Sequence, residues 1–347
     1  MKKILKQVAG IDVAQKELVV CLGKMDEQLN VDLYAFKTFP NNNKGFSFFV
    51  KWVSKHTDAA LPVKYVMEAT GVYHETLAYF LDDAKREVSV VLPNKISNYG
   101  RSLEIKTVTD KTASEAIARF GLERKTELWH RPGKVIRTMR QLTRERDQLV
   151  KERTMVKNQL HAEQSEALPN PTTISRINKK IAFLTRQEQE VKTELQELIN
   201  RDADLKNNVK LICSIPGIGE LTAATVLAET NAFNLIKNKR QLTSYAGLDV
   251  KEKQSGTSVK GKPRISKRGN KYLRKAMHLP ALSAIRHDQR FKAVFVRLVS
   301  KHGIKMKAAV AVQRKLLEMI YTIFKTQKPY DKKYFQPEIV LENQEAI

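Results

Sequence analysis

Apolar positions recur along the chain in two rhythms. Short runs of strand type occupy Val8 to Val13, Leu18 to Leu22, Val31 to Phe36, Val63 to Met67 and Val88 to Leu92. Between the third and fourth runs, Phe46, Phe48, Phe49, Val50 and Val53 crowd one side of a predicted helix, and Glu75 to Leu81 behaves likewise. Three strands in quick succession, followed by alternating helix and strand, predict a mixed α/β sheet domain over residues 1–128.

The rhythm then changes. Met139, Leu142, Leu149, Val156 and Leu160 form one apolar seam, and Ile174, Ile177, Ile181, Leu184, Val191, Leu195 and Leu198 a second. Their sevenfold spacing, with the break at Pro169-Asn170-Pro171, predicts an antiparallel coiled-coil hairpin over residues 129–205. Its flanking charges read as a solvated face, and the hairpin as a spacer or dimer seam. Residues 206–328 read as an all-α domain. It holds the turn Pro216-Gly217-Ile218-Gly219, a helix from Leu221 to Glu229, a loop from Asp249 to Gly269 rich in glycine, lysine and serine, and helices from Lys271 to Phe324. The tail, 329–347, loses helical periodicity.

Charge narrows the partner. The 347 residues carry 62 lysines and arginines against 37 acids, a net +25, so a polyanion is expected, with nucleic acid first. No apolar run approaches membrane-spanning length and no leader pattern opens the chain, which predicts a soluble, cytoplasmic protein without a membrane partner. Cys21 and Cys213 have no Cys or His neighbour at metal-ligand spacing, so zinc and disulfides are not expected. A metal would be held by carboxylates, favouring Mg2+ or Mn2+.

Three acids suit that role. Asp12 ends the first strand and Glu68 the fourth, while Asp110 opens a helix predicted from Thr112 to Phe120. Each alone is commonly a turn former or a helix cap. Together, at comparable ends of strands whose order is that of a ribonuclease H-like domain, they can hold divalent ions for phosphodiester chemistry.

The runs G-I-D-V-A-Q-K-E-L, M-E-A-T-G-V-Y-H-E-T-L and T-D-K-T-A-S-E-A-I-A-R-F-G resemble the RuvC-like N-terminal domain of the DEDD insertion-sequence transposases. S-I-P-G-I-G-E-L-T-A-A, Y-A-G-L-D, Q-S-G and I-S-K-R-G-N are similar to that family's second domain. The resemblance implies Asp12, Glu68 and Asp110 as catalytic metal ligands. It also implies excision and integration of a mobile element, a homo-oligomer (dimer or tetramer), and a structured guide RNA. One position departs from the pattern: where the family has a second aspartate three residues after Asp110, this chain has Ala113. Glu115 is the candidate substitute, although five residues of helix turn it off the face of Asp110.

From Lys237 to Lys275 there are 13 lysines and arginines and two acids, the densest positive charge in the chain. Lys260, Lys262, Arg264, Lys267 and Arg268 are candidate phosphate ligands within it. The family's S-G motif carries a serine taken as the recombination nucleophile, and the match falls on Ser255. Ser266 is the runner-up, better suited to an N-cap or a phosphate donor, and Ser258 comes third. Gly217 and Gly219 shape a helix-hairpin-helix-like turn whose amides can meet a phosphate. Few aromatics interleave the basic residues, so base stacking is not expected as the main mode. The expectation is a transposase or recombinase with a metal site and a serine site. The alternatives are a junction-resolving endonuclease, which needs no serine, and a non-catalytic DNA- or RNA-binding scaffold.

Overall fold

A computed structural model describes residues 3–69, 71–103, 107, 109–234, 236–252, 254–255, 259–261 and 264–331. They fall into two units, Met1–Arg131 and Pro132–Ile347.

The first unit opens with β1 (Ile4–Val13), β2 (Glu17–Asp26) and β3 (Val31–Pro40). These strands outrun the apolar runs that mark them because polar residues continue the ladders at their ends. They are followed by α1 (Asn43–His56), β4 (Val63–Glu68), α2 (Glu75–Asp83), β5 (Glu87–Val91), α3 (Pro93–Ser102) and α4 (Asp110–Glu123). The sheet has the order β3-β2-β1-β4-β5. β2 lies antiparallel to β1 and β3, and β4 runs parallel to β1 and β5, so β2 alone opposes the common direction.

Alternation of side chains sends the strands' residues to two cores. Ala9, Ile11, Val13, Tyr65 and Met67 pack with Phe46, Phe49, Leu77 and Leu81 of α1 and α2. Val8 and Val66 pack with Ile96 of α3 and with Ile117 and Leu122 of α4. α4 lies so close to β1 that a Cβ at Gly10 would stand 2.2 Å from the Ala118 amide nitrogen. Only glycine fits there.

The second unit begins with α5 (Lys134–Gln164) and α6 (Pro171–Arg201), the expected hairpin, with Asn170 capping α6. Met139 and Leu142 of α5 and Val191, Leu195 and Ile199 of α6 share one core with the helices that follow. Toward the far end Ile174, Ile177 and Ile181 are half-buried, and Leu168, Met155 and Phe183 are exposed. The flanking charges are not all solvated. Glu188 is buried and paired with Arg146 and Arg153 across the hairpin and with Lys192 on its own helix. Three cations around one carboxylate offset the loss of its hydration.

α7 (Ala203–Cys213), α8 (Glu220–Glu229) and α9 (Lys239–Ala246) come next. The stretch expected to be a loop contains a β-ribbon. β6 (Val250–Lys251) pairs antiparallel with β9 (Arg264–Ile265), and within that ladder β7 (Gln254–Ser255) pairs with β8 (Val259–Lys260). α10 (Lys271–Ala276), α11 (His278–His287), α12 (Gln289–His302) and α13 (Lys305–Thr326) complete the unit. Of the tail, residues 332–347 lie outside the described residues. Among those described, no helix is long and apolar enough to cross a membrane.

Candidate active site

Register and pleat place the first two acids. Val8, Gly10 and Asp12 alternate onto the α4 side of β1, and Val66 and Glu68 onto the same side of β4. Gly10 stands opposite Val66, so Asp12 and Glu68 lie two residues further along neighbouring parallel strands, at their carboxyl ends. α4 brings the third acid. Its buried stripe is Ser114, Ile117, Ala118 and Gly121, and Asp110, four residues before Ser114, stands on the same stripe at the helix start.

Asp110 is not the cap of that helix. The Thr109 side chain accepts from the Thr112 amide, and the Thr112 hydroxyl accepts from the Thr109 amide at 2.8 Å, closing a capping box. α4 therefore starts two residues earlier than the apolar pattern indicates.

The electrostatics bind these acids together. Burial, followed by the charge of Asp110, pushes the Asp12 carboxyl above the usual carboxylate range. Burial, followed by the charge of Asp12, does the same to Glu68. Among the described residues, no lysine, arginine or histidine forms an ion pair with Asp12, Glu68 or Asp110. Asp12 and Glu68, half-buried beside other acids and without a counter-charge, favour a bound cation, with the exposed Asp110 at its edge. Among the described residues no three of His, Cys, Asp and Glu stand close enough to form a ready-made metal cage. The donor chemistry nevertheless fits a hard divalent ion: all-oxygen, anionic and projecting from rigid strand ends. Water and phosphate oxygens would complete the coordination.

The Ala113 position supplies no donor. Glu115 is half-buried, and its charge acts on the Cys21 thiol of β2, which burial and Glu115 together push up to about 12. It does not act on Asp12 or Glu68. A residue not anticipated from the sequence joins the cluster's loops. The Asn41 side-chain amide donates to the carbonyls of Ala14 at 2.8 Å and Tyr73 at 3.3 Å. It thus ties the turn after Asp12 to the loop after Glu68. Nothing local in Pro40-Asn41-Asn42 announces this, because both partners are distant in sequence.

In the second unit, Ser255 lies opposite Val259 at the outer end of the ribbon. The Ser258 and Lys262 positions, and the glycine following Ser255, lie outside the described residues. Ser266 stands at the ribbon's foot, where its hydroxyl donates to Asp249 Oδ1 at 2.6 Å. It is not an N-cap. Asn270 caps α10 instead, accepting from Tyr272 and Leu273. Arg264, Lys267 and Arg268 are exposed, and Lys260 lies in β8. Gly217 and Gly219 are exposed in the turn between α7 and α8. Gly217 has φ +87°, and a Cβ there would come within 2.7 Å of the Pro280 carbonyl oxygen, so packing against α11 also demands glycine.

Behind the ribbon, a buried network fixes the backbone. Glu229, 2% exposed, accepts two bonds from Arg144, at 2.7 and 2.9 Å, and one from Asn270 at 2.6 Å. Asn270 also donates its amide to the Tyr245 carbonyl at 2.7 Å. The Y-A-G-L-D and I-S-K-R-G-N motifs are thereby held side by side.

Two acids at the carboxyl ends of parallel strands, a third at a helix start and a basic helical unit in the same chain suit an enzyme that acts on a polyanion, and the family matches give its class as transposase. A family model for DEDD transposases of the IS110 type matches residues 9–168. A second, described as Transposase IS116/IS110/IS902 family, matches residues 209–295. The chain belongs to this insertion-sequence transposase family and is an enzyme. The pilin gene-inverting protein of Moraxella bovis is 29% identical over 333 residues, covering 94% of this chain and 98% of its own. The transposase for insertion sequence element IS1111A of Coxiella burnetii is 26% identical over 214 residues, covering 53% and 58%. Among solved structures, the RuvC of Thermus thermophilus aligns at 11% identity and TM-score 0.28, covering 35% of this chain and 99% of that one.

Proposed function

We propose that the chain cuts and rejoins DNA at the ends of a mobile element, with two cooperating sites. The first unit is read as ribonuclease H-like from its strand order. Asp12, Glu68 and Asp110 would hold Mg2+ or Mn2+ there, and the ion would supply positive charge to a phosphate and lower the pKa of an oxygen bound to it. The observation that carries this reading is that Asp12 is repelled by Asp110 and Glu68 by Asp12, with no cation paired to any of the three among the described residues.

Ser255 is the nucleophile in this reading. Its Oγ attacks phosphorus, an Oγ–P bond forms, and the bond from phosphorus to one deoxyribose oxygen breaks. The leaving oxygen takes up a proton as serine loses its own. Attack by a deoxyribose hydroxyl of the incoming strand reverses the step, so bond energy is conserved. Lys260, Lys262, Arg264, Lys267 and Arg268 meet phosphates, as do the amides around Gly217 and Gly219. Ser266 holds the ribbon's foot and Glu115 is not a ligand. The exposed apolar residues Leu168, Met155 and Phe183 on the hairpin support its use as a contact between copies of the chain. A structured RNA guides the enzyme to its target, in keeping with the basic surface, and the setting is cytoplasmic. The domain division is read as 1–128, 129–205, 206–328 and a tail.

The test is a covalent adduct. Incubated with element-end DNA and Mg2+, the protein forms a protein-linked strand that Ser255→Ala abolishes. Strand exchange persisting in Ser255→Ala would leave a junction-resolving nuclease as the better reading.

A further inference from the structure

A cavity of about 640 Å³ opens in the second unit between α5, α8, α10, α11 and α13. Leu248 and Ile265, at the foot of the ribbon that carries Ser255, form part of its wall. The lining is mainly apolar, with Leu221, Leu279, Met306 and Val310. Charged and polar side chains line the rest, several of them held by partners. The half-buried Tyr272 ring has the Arg144 guanidinium 4.7 Å from its centroid, and that guanidinium is fixed by Glu229. His278 and Gln313, 2.9 Å apart, form a hydrogen-bonded pair in the wall.

The charges indicate what the cavity accepts. Arg144 is matched by Glu229, and Lys275 by Asp147. Arg274 is not matched: it donates to the carbonyls of Ala246 and Gly269, and among the described residues no acid pairs with it. An aromatic ring ringed by cations, apolar walls, a hydrogen-bonded His–Gln pair and one uncompensated arginine match a nucleobase with its phosphate.

We propose that this cavity holds one unpaired nucleotide of a nucleic-acid strand. The base lies against Tyr272 and Arg144 with its edge toward His278 and Gln313, and its phosphate meets Arg274. This site extends the proposed function, on which it rests for the class of partner. Stacking thus enters at one built site, although the sequence shows no aromatic pattern for it.

The probes are single-stranded oligonucleotides carrying 5-iodouracil, one DNA and one RNA of the same sequence, photo-crosslinked to the full-length protein. The expected crosslink falls on Tyr272, and the arm that yields it identifies the strand as DNA or RNA. Tyr272→Ala and the cavity-filling Met306→Trp, at an exposed rim position, each weaken single-strand binding about tenfold and leave binding of a fully paired duplex unchanged. Duplex binding shows that the variants are folded. Crosslinks confined to other elements, an unchanged single-strand affinity in both variants, or occupation by an apolar peptide would each overturn the proposal. Loss of the Ser255 adduct reading with the Tyr272 crosslink intact removes the proposed function alone, whereas failure to bind any nucleic acid removes both.

Discussion

The two units treat buried carboxylates in opposite ways. In the second, Glu188 and Asp147 sit among cations. Burial alone would raise their pKa values, but hydrogen bonds from Lys192 and Arg146 in one case, and from Lys151 and Lys275 in the other, bring both below the usual range. Glu229 is likewise spoken for by Arg144 and Asn270. In the first unit, burial raises Asp12 and Glu68, the charge of a neighbouring acid raises each further, and no cation offsets it. Burial therefore does not mark the candidate site. The missing counter-charge does.

The contrast breaks most sharply at Asp12. Asp12→Asn is expected to lower strand cleavage by more than about a hundredfold, beyond the loss typical of an outer-shell metal partner, while the folded protein without metal is no less stable. A stable but fully active variant in a cleavage assay would place the chemistry elsewhere. In the second unit the same isosteric change does the reverse. Glu229→Gln costs about 3 kcal/mol in denaturant unfolding, since it strands Arg144, though part of that charge is screened by solvent.

Metal addition sharpens the comparison. At a hundred times its dissociation constant, Mg2+ is expected to stabilise the wild-type chain by about 2.7 kcal/mol and to leave Asp12→Asn unmoved in thermal melting. Glu188 provides the pH test. Its folded pKa lies below the ordinary 4.5, so its stabilisation is fully present above that value and is lost as pH falls through the lower one. Glu188→Gln should thus cost about 2 kcal/mol at neutral pH, with the gap closing in acid. The smallest effect belongs to Asn41→Ala, about 1 kcal/mol for two carbonyls returned to water. Urea melts measure it, with a larger proportional loss in cleavage if the two loops part.

Much of the first unit was legible because its signals are local. The apolar runs from Val8 to Val13 and from Val63 to Met67 are enough to place both acids at strand ends, and the register of β1 with β4 puts them on one face. The misreadings arose where a partner is remote or a pattern short. Glu229 looks like the polar end of a helix until Arg144, 85 positions earlier, is brought against it. Glu188 looks solvated until Arg146 and Arg153 cross the hairpin. The ribbon escaped notice because two-residue ladders leave no periodicity among glycines and lysines. At the start of α4, the cap is Thr109, which leaves the aspartate free of the capping role an acid there commonly takes.

That small division of labour bears on how such a chain changes over generations. With Thr109 and Thr112 closing the end of α4 between them, the neighbouring carboxylate is not needed as its cap. Under the proposed function, a mutation at Asp110 would abolish or retune chemistry without removing the cap of α4, and a reversion would restore it equally freely. Inactive copies of a mobile element would then persist as well-folded protein, still able to occupy DNA and to compete with active relatives in the same cell.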